Sequence, residues 1–100
     1  MIKFALLAHI EAKPGKEEAV AALLKEVQTL VLDEPFTLNW YAFRTGESTF
    51  AIFDTFSDDA GRNGHLNGEG AKRLMAATDE LFVRGLVIEK ADVVAFTVPK

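Results

Sequence analysis

Asn39-Trp40-Tyr41-Ala42-Phe43-Arg44, then Thr45-Gly46-Glu47-Ser48, then Thr49-Phe50-Ala51-Ile52-Phe53-Asp54-Thr55-Phe56 is the stretch on which the fold turns. Aromatic and β-branched residues dominate both flanks and suit a pleated, half-buried surface. They predict strands over Thr37 to Arg44 and Thr49 to Phe56. Gly46 at the first central position predicts a two-residue type II′ hairpin. That turn sets Thr45 opposite Ser48, Phe43 opposite Phe50, Tyr41 opposite Ile52 and Asn39 opposite Asp54. Trp40 then stands opposite Phe53 on the other side of the sheet. A bulge would shift this register.

Upstream, Ile2 to Ala12 alternate, with Ile2, Phe4, Leu6, Ala8 and Ile10 on one side. Period 2 means a strand, and Lys13-Pro14-Gly15 breaks it. From Lys16 to about Leu32 the period becomes 3.6, with Val20, Leu23, Leu24, Val27, Leu30 and Val31 in one stripe. Glu17 and Glu18 suit the positive end of that helix, and Asp33-Glu34-Pro35 ends it, since Pro35 disfavours the helical conformation before it. Downstream, Ser57 is a helix cap followed by two aspartates. A short helix runs to about Leu66, and Asn67-Gly68 breaks it. A second helix runs from about Gly70 to Phe82, with Ala71, Leu74, Met75, Thr78, Leu81 and Phe82 inward. Gly85 ends the helical region, Val87 to Val98 is the last strand, and Pro99 stops it.

This βαββαβ order predicts a ferredoxin-like α+β domain over residues 1–100. Its four-stranded antiparallel sheet carries both helices on one face. Yet every strand is apolar on both sides, where a face open to water should alternate toward polar residues. A homodimer through the sheet face is therefore expected.

Composition narrows the function. The chain has 100 residues, 11 Lys+Arg, 15 Asp+Glu, 2 His and no Cys, for a net charge of -4. That balance argues against nucleic acid and anionic membranes as partners. No apolar run approaches the roughly 20 residues of a membrane span. The start of the chain lacks the pattern of a secretory signal, so a cytoplasmic location is expected. Without cysteine there is no thiolate nucleophile and no Cys-based metal site. The carboxylates and the two histidines show no metal-ligand spacing, and no phosphate-binding or dinucleotide motif is present. No cofactor and no metal are expected.

The segments Asn39-Trp40-Tyr41-Ala42-Phe43-Arg44, Thr49-Phe50-Ala51-Ile52-Phe53-Asp54 and Asp59-Ala60-Gly61-Arg62-Asn63-Gly64-His65-Leu66-Asn67-Gly68 are similar to the antibiotic biosynthesis monooxygenase domain family. The resemblance covers essentially the whole chain. It implies a dimeric α+β barrel with a ligand cavity in each subunit, between sheet and helices. It further implies cofactor-independent oxygenation of a phenolic, quinol or polyketide-like aromatic by dioxygen. The haem-degrading branch of that family uses an Asn in the first strand, a Trp ending the third strand and a His on the next helix. Here Ala8 and His9 stand in the first strand and Thr55-Phe56 ends the third, leaving only His65 with a counterpart. That departure argues against haem degradation.

Among individual residues, His65 titrates near neutrality and suits proton abstraction from a phenol or quinol. Its alternative role is to hydrogen-bond the glycine-rich break after Leu66. Asp54 suits orienting a substrate hydroxyl or a histidine, and its alternative is a self-satisfying polar pair with Asn39. Tyr41 is a third catalytic candidate, through a hydrogen bond to a substrate carbonyl. Asn39, Trp40, Phe53 and Phe56 are the candidate substrate-binding residues, with core packing as the commoner fate of the aromatics. His9 reads as structural or interfacial. Arg44 reads as pairing with a partner subunit's acid or with solvent, and Arg62 as a surface partner of Asp58. Gly61 and Gly64 permit close packing rather than cradling a phosphate. The rival to an oxygenase is a non-catalytic dimeric module that binds a small molecule or serves as a stress-related accessory protein. An isomerase or decarboxylase in the same pocket is a third reading.

Overall fold

Residues 1–98 are described in a computed structural model; the expected stop at Pro99 lies outside them. The period-2 segment forms β1 (Phe4–Glu11) and the amphipathic segment forms α1 (Glu17–Val31). The aromatic runs form β2 (Asn39–Arg44) and β3 (Thr49–Phe56). Then come α2 (Asp59–Leu66), α3 (Glu69–Ala76), α4 (Thr78–Leu81) and β4 (Val87–Asp92). The sheet is antiparallel with strand order β2-β3-β1-β4. This is the expected ferredoxin-like α+β arrangement. The apolar stripe of α1 packs through Val20, Leu24 and Val27 onto Ile10, Phe50 and Ile52 of the sheet. No helix among the described residues is long and apolar enough to cross a membrane.

The hairpin departs from the expected register by one residue. Asn39 pairs with Thr55, Trp40 with Asp54, Tyr41 with Phe53, Phe43 with Ala51 and Arg44 with Phe50. A type II′ turn needs a positive φ at Gly46, and Gly15 is the only described residue with one. The loop instead holds three residues, 46–48. Thr45 N donates to Thr49 O at 2.9 Å, and the Arg44 guanidinium donates to the loop carbonyl of Glu47 at 2.6 Å. Arg44 also pairs with Glu18 at 2.9 Å, an acid of its own chain.

Because side chains alternate along a strand, a one-residue slip exchanges the faces of β2 relative to β3. Trp40 and Ala42 therefore join Ile52 and Asp54 on the helix-facing side. Asn39, Tyr41 and Phe43 join Ala51, Phe53 and Thr55 on the open side. The expected Asn39–Asp54 and Trp40–Phe53 pairs do not form. Asn39 Oδ1 instead accepts from Thr55 Oγ1 at 2.8 Å.

Other boundaries differ for local reasons. Asp58, not Ser57, caps α2, accepting from Gly61 N at 2.7 Å. The expected second helix is two pieces that divide at Ala77, and α4 ends where Phe82 turns extended and bridges Ala12. Met75 is half-exposed rather than inward. β4 stops at Asp92; Val93 N still donates to Lys3 O at 2.8 Å, but residues 94–98 pair with no strand of this chain. Arg62 is buried, with its guanidinium 4.9 Å from the Phe4 ring and 2.8 Å from Asp59, not paired with Asp58.

Candidate active site

Gly61 and Gly64, three apart, fall on one face of α2, and Gly68 follows just beyond its end as the N-cap of α3. His65 shares that face of α2. The segment after α1 docks there. A Cβ at Gly64 would lie 3.2 Å from the Phe36 ring, so any larger residue would force that ring back by a few tenths of an ångström. A Cβ at Gly68 would lie 2.5 Å from Glu34 Oε2. Gly61 and Gly64 thus permit close packing, as expected, and Gly68 does the same beside Glu34. The consequence of this packing is to bring Glu34 onto His65.

His65 Nδ1 lies 2.7 Å from Glu34 Oε1, and His65 Nε2 lies 2.9 Å from Asp54 Oδ2. All three side chains are nine-tenths buried or more. Thr37 Oγ1 donates to the same Glu34 oxygen at 2.7 Å. Carboxylates only accept, so both ring nitrogens donate and the ring is an imidazolium. Burial is the largest single influence on His65 and by itself lowers its pKa. Hydrogen bonds and charge from Asp54, then from Glu34, outweigh it and raise the pKa above 6.5. Two acceptor atoms, Glu34 Oε2 and Asp54 Oδ1, are buried without a partner. The Phe56 ring, fully buried, stands 5.4 Å from the imidazole and backs it.

Asp54, His65 and Trp40 line a narrow cavity of about 40 Å³ between sheet and helices, walled by Leu6, Leu74, Met75 and Leu86 among others. Of the seven candidates, these three come together at the cavity and Phe56 stands behind them. Tyr41, Asn39 and Phe53 do not join them. They line a shallow hollow of about 480 Å³ on the open face, beside Val93 and Phe96. That hollow is larger, but it holds no ionisable cluster, whereas the small cavity is lined by two buried titratable groups, Asp54 and His65. Tyr41, on the opposite side of the sheet, does not reach His65.

In the sequence, Glu34 reads only as part of a helix stop. The signal that could have found it is the glycine face around His65, which shows that some other segment must pack there. Among the described residues, no cluster of three or more His, Asp or Glu side chains is arranged to hold a metal ion. Both His65 nitrogens face carboxylate oxygens and have no lone pair to offer one.

The sheet with helices on one face is a fold that solved antibiotic biosynthesis monooxygenases also have. No family model and no curated protein matches the chain. Among solved structures it is 43% identical to a protein of unknown function from Nitrosomonas europaea, covering 100% of this chain and 97% of that one with TM-score 0.96. The chain belongs to that protein's family. A Pseudomonas aeruginosa protein superposes at TM-score 0.80 with 24% identity over 95% of this chain and 97% of that one. A solved antibiotic biosynthesis monooxygenase superposes at TM-score 0.78 with 20% identity, over 92% of this chain and 99% of that one, and shares its fold.

Proposed function

We propose that this protein is a cofactor-independent monooxygenase of a phenolic, quinol or polyketide-like aromatic. The observation that carries the reading is the buried Asp54–His65 pair opening onto a cavity walled by Trp40. For a hydroquinone, the ring and dioxygen give a hydroxylated quinone and water. One oxygen atom enters the ring, the other leaves as water, and the ring supplies all four electrons. Asp54, with its Oδ2 held by the His65 imidazolium, takes the hydroxyl proton on Oδ1, leaving an electron-rich ring that passes an electron to dioxygen, and returns the proton to the departing water. The apolar walls exclude bulk water and hold the ring in place.

The same reading makes the protein a homodimer through its open sheet face, where Tyr41 and Phe43 are 56% and 46% exposed. Pairing two such faces would enclose the hollow beside Tyr41. A second reading, a non-catalytic dimeric binding or accessory protein, draws support from the narrowness of the cavity. Oxygen uptake against a panel of hydroquinones and polycyclic phenols decides between them. Uptake above autoxidation, with one labelled oxygen atom in the product, is expected. Ligand binding without uptake moves the assignment to the binding module.

A further inference from the structure

We infer that Asp54 Oδ1 is the atom that receives the ligand, and that the site therefore selects an uncharged ligand bearing a hydroxyl donor and refuses an anion of the same shape. The inference rests on reading the cavity beside Trp40 as the ligand site.

Three observations carry it. Glu34 occupies Nδ1 of His65 and Asp54 Oδ2 occupies Nε2, so the imidazole has no nitrogen left for a ligand. Of the two orphaned acceptors, Glu34 Oε2 is pressed toward Gly68, and Glu34 does not line the cavity. Asp54 does line it, and its Oδ1 is buried with no partner. A buried acceptor without a donor is costly, and a ligand hydroxyl removes that cost. Two carboxylates face one imidazolium, leaving an excess of negative charge in a low-dielectric site, which repels an anionic ligand. The rest of the lining, with Leu6, Ile52, Leu74 and Ile88, is apolar and suits an aromatic ring. The cavity, at about 40 Å³, admits no ring as it stands. The wall that gives way is Met75, half-exposed and on a flexible unbranched side chain, with Leu86 beside it. His65 is a positioning residue in this scheme, and Glu34 holds it.

Three probes of one shape test this: 2-naphthol, 2-methoxynaphthalene and 2-naphthoate. Each is titrated into the full chain while the indole N–H resonance of Trp40, the one tryptophan, is followed. 2-Naphthol is expected to shift that resonance and to bind roughly 10- to 100-fold more tightly than the methyl ether, the range of an unmatched buried acceptor. 2-Naphthoate is expected to leave it unmoved. In Asp54→Asn the amide can donate, so the naphthol-to-ether ratio should fall toward one and 2-naphthoate should gain affinity. Equal affinities in the wild type, binding of 2-naphthoate by the wild type, or no shift with any probe overturns the inference, whether or not the variant folds. Donor selectivity without oxygen uptake from any phenol would retain this inference and remove the oxygenase reading alone.

Discussion

Glu34 Oε1 and His65 Nδ1 lie 2.7 Å apart, though 31 positions separate them in the chain. One contact ties the exit of α1 to the last turn of α2 and, through His65, to Asp54 on β3. The charge state of His65 is therefore a property of the tertiary fold. Its pKa is raised on folding, so its contribution to stability is complete below the unfolded value of 6.5. It is lost as pH rises from there through the folded pKa. The titratable groups facing it are Glu34 and Asp54. Denaturant midpoints measured from pH 6 to pH 9 should fall for the wild type and flatten in His65→Gln. A wild-type midpoint that rises over this interval contradicts the assignment.

Glu34→Ala should destabilise the protein by about 1–3 kcal/mol, because it strips a buried acceptor from both His65 and Thr37. Glu34→Gln keeps the volume but removes the charge. His65, followed by its ring resonances, should then titrate at lower pH than in the wild type. An unchanged titration would mean that Asp54 alone holds the ring charged.

Gly68→Ala probes the same contact from the far side. The backbone at Gly68 has φ -83, which alanine adopts without strain. The effect must come from the added Cβ, which meets Glu34 Oε2 at 2.5 Å. The substitution should push Glu34 off His65 and lower the His65 pKa in the same direction as Glu34→Gln. It should cost about 1–3 kcal/mol, the scale of overpacking. A normal His65 titration in Gly68→Ala would show that Glu34 can swing aside without releasing the imidazole.

Much of the fold was legible because the period changes from 2 to 3.6 between β1 and α1 and back again in the β2–β3 hairpin. What was not legible was the hairpin's face. Gly46 permits a positive φ without requiring it, and the three-residue loop rests on contacts from Arg44 that composition does not announce. That one choice moved Trp40 to the helices and Tyr41 away from them. In the candidate site, His65 and Asp54 stood out as a titratable group on a helix and an acid in an apolar strand. Glu34 did not, since a Glu before a proline reads as a helix end and its partner is distant in sequence. β4 ended early because a repeat of apolar residues also describes an extended tail with no strand beside it.

The open face carries its own prediction. Tyr41 and Phe43 are exposed large aromatics on a sheet face with no helix over it. Light scattering of the wild type should report twice the chain's mass. Phe43→Asp should shift it to the monomer while leaving the His65 titration intact, since Phe43 and His65 lie on opposite sides of the sheet. A wild type that is monomeric at every concentration removes the dimer.

Turnover separates the two carboxylate contacts of His65. If Asp54 takes the substrate proton, Asp54→Asn should lower kcat for a hydroquinone by roughly 10²- to 10⁴-fold, the range of a lost general base. Glu34 does not touch the cavity, so Glu34→Gln should leave KM nearly unchanged. It should move the pH profile of kcat toward lower pH, in step with the His65 titration. His65→Ala should abolish turnover, because Asp54 then loses the donor that orients it. Retention of wild-type kcat in His65→Ala would show that Asp54 does not depend on His65 for its position.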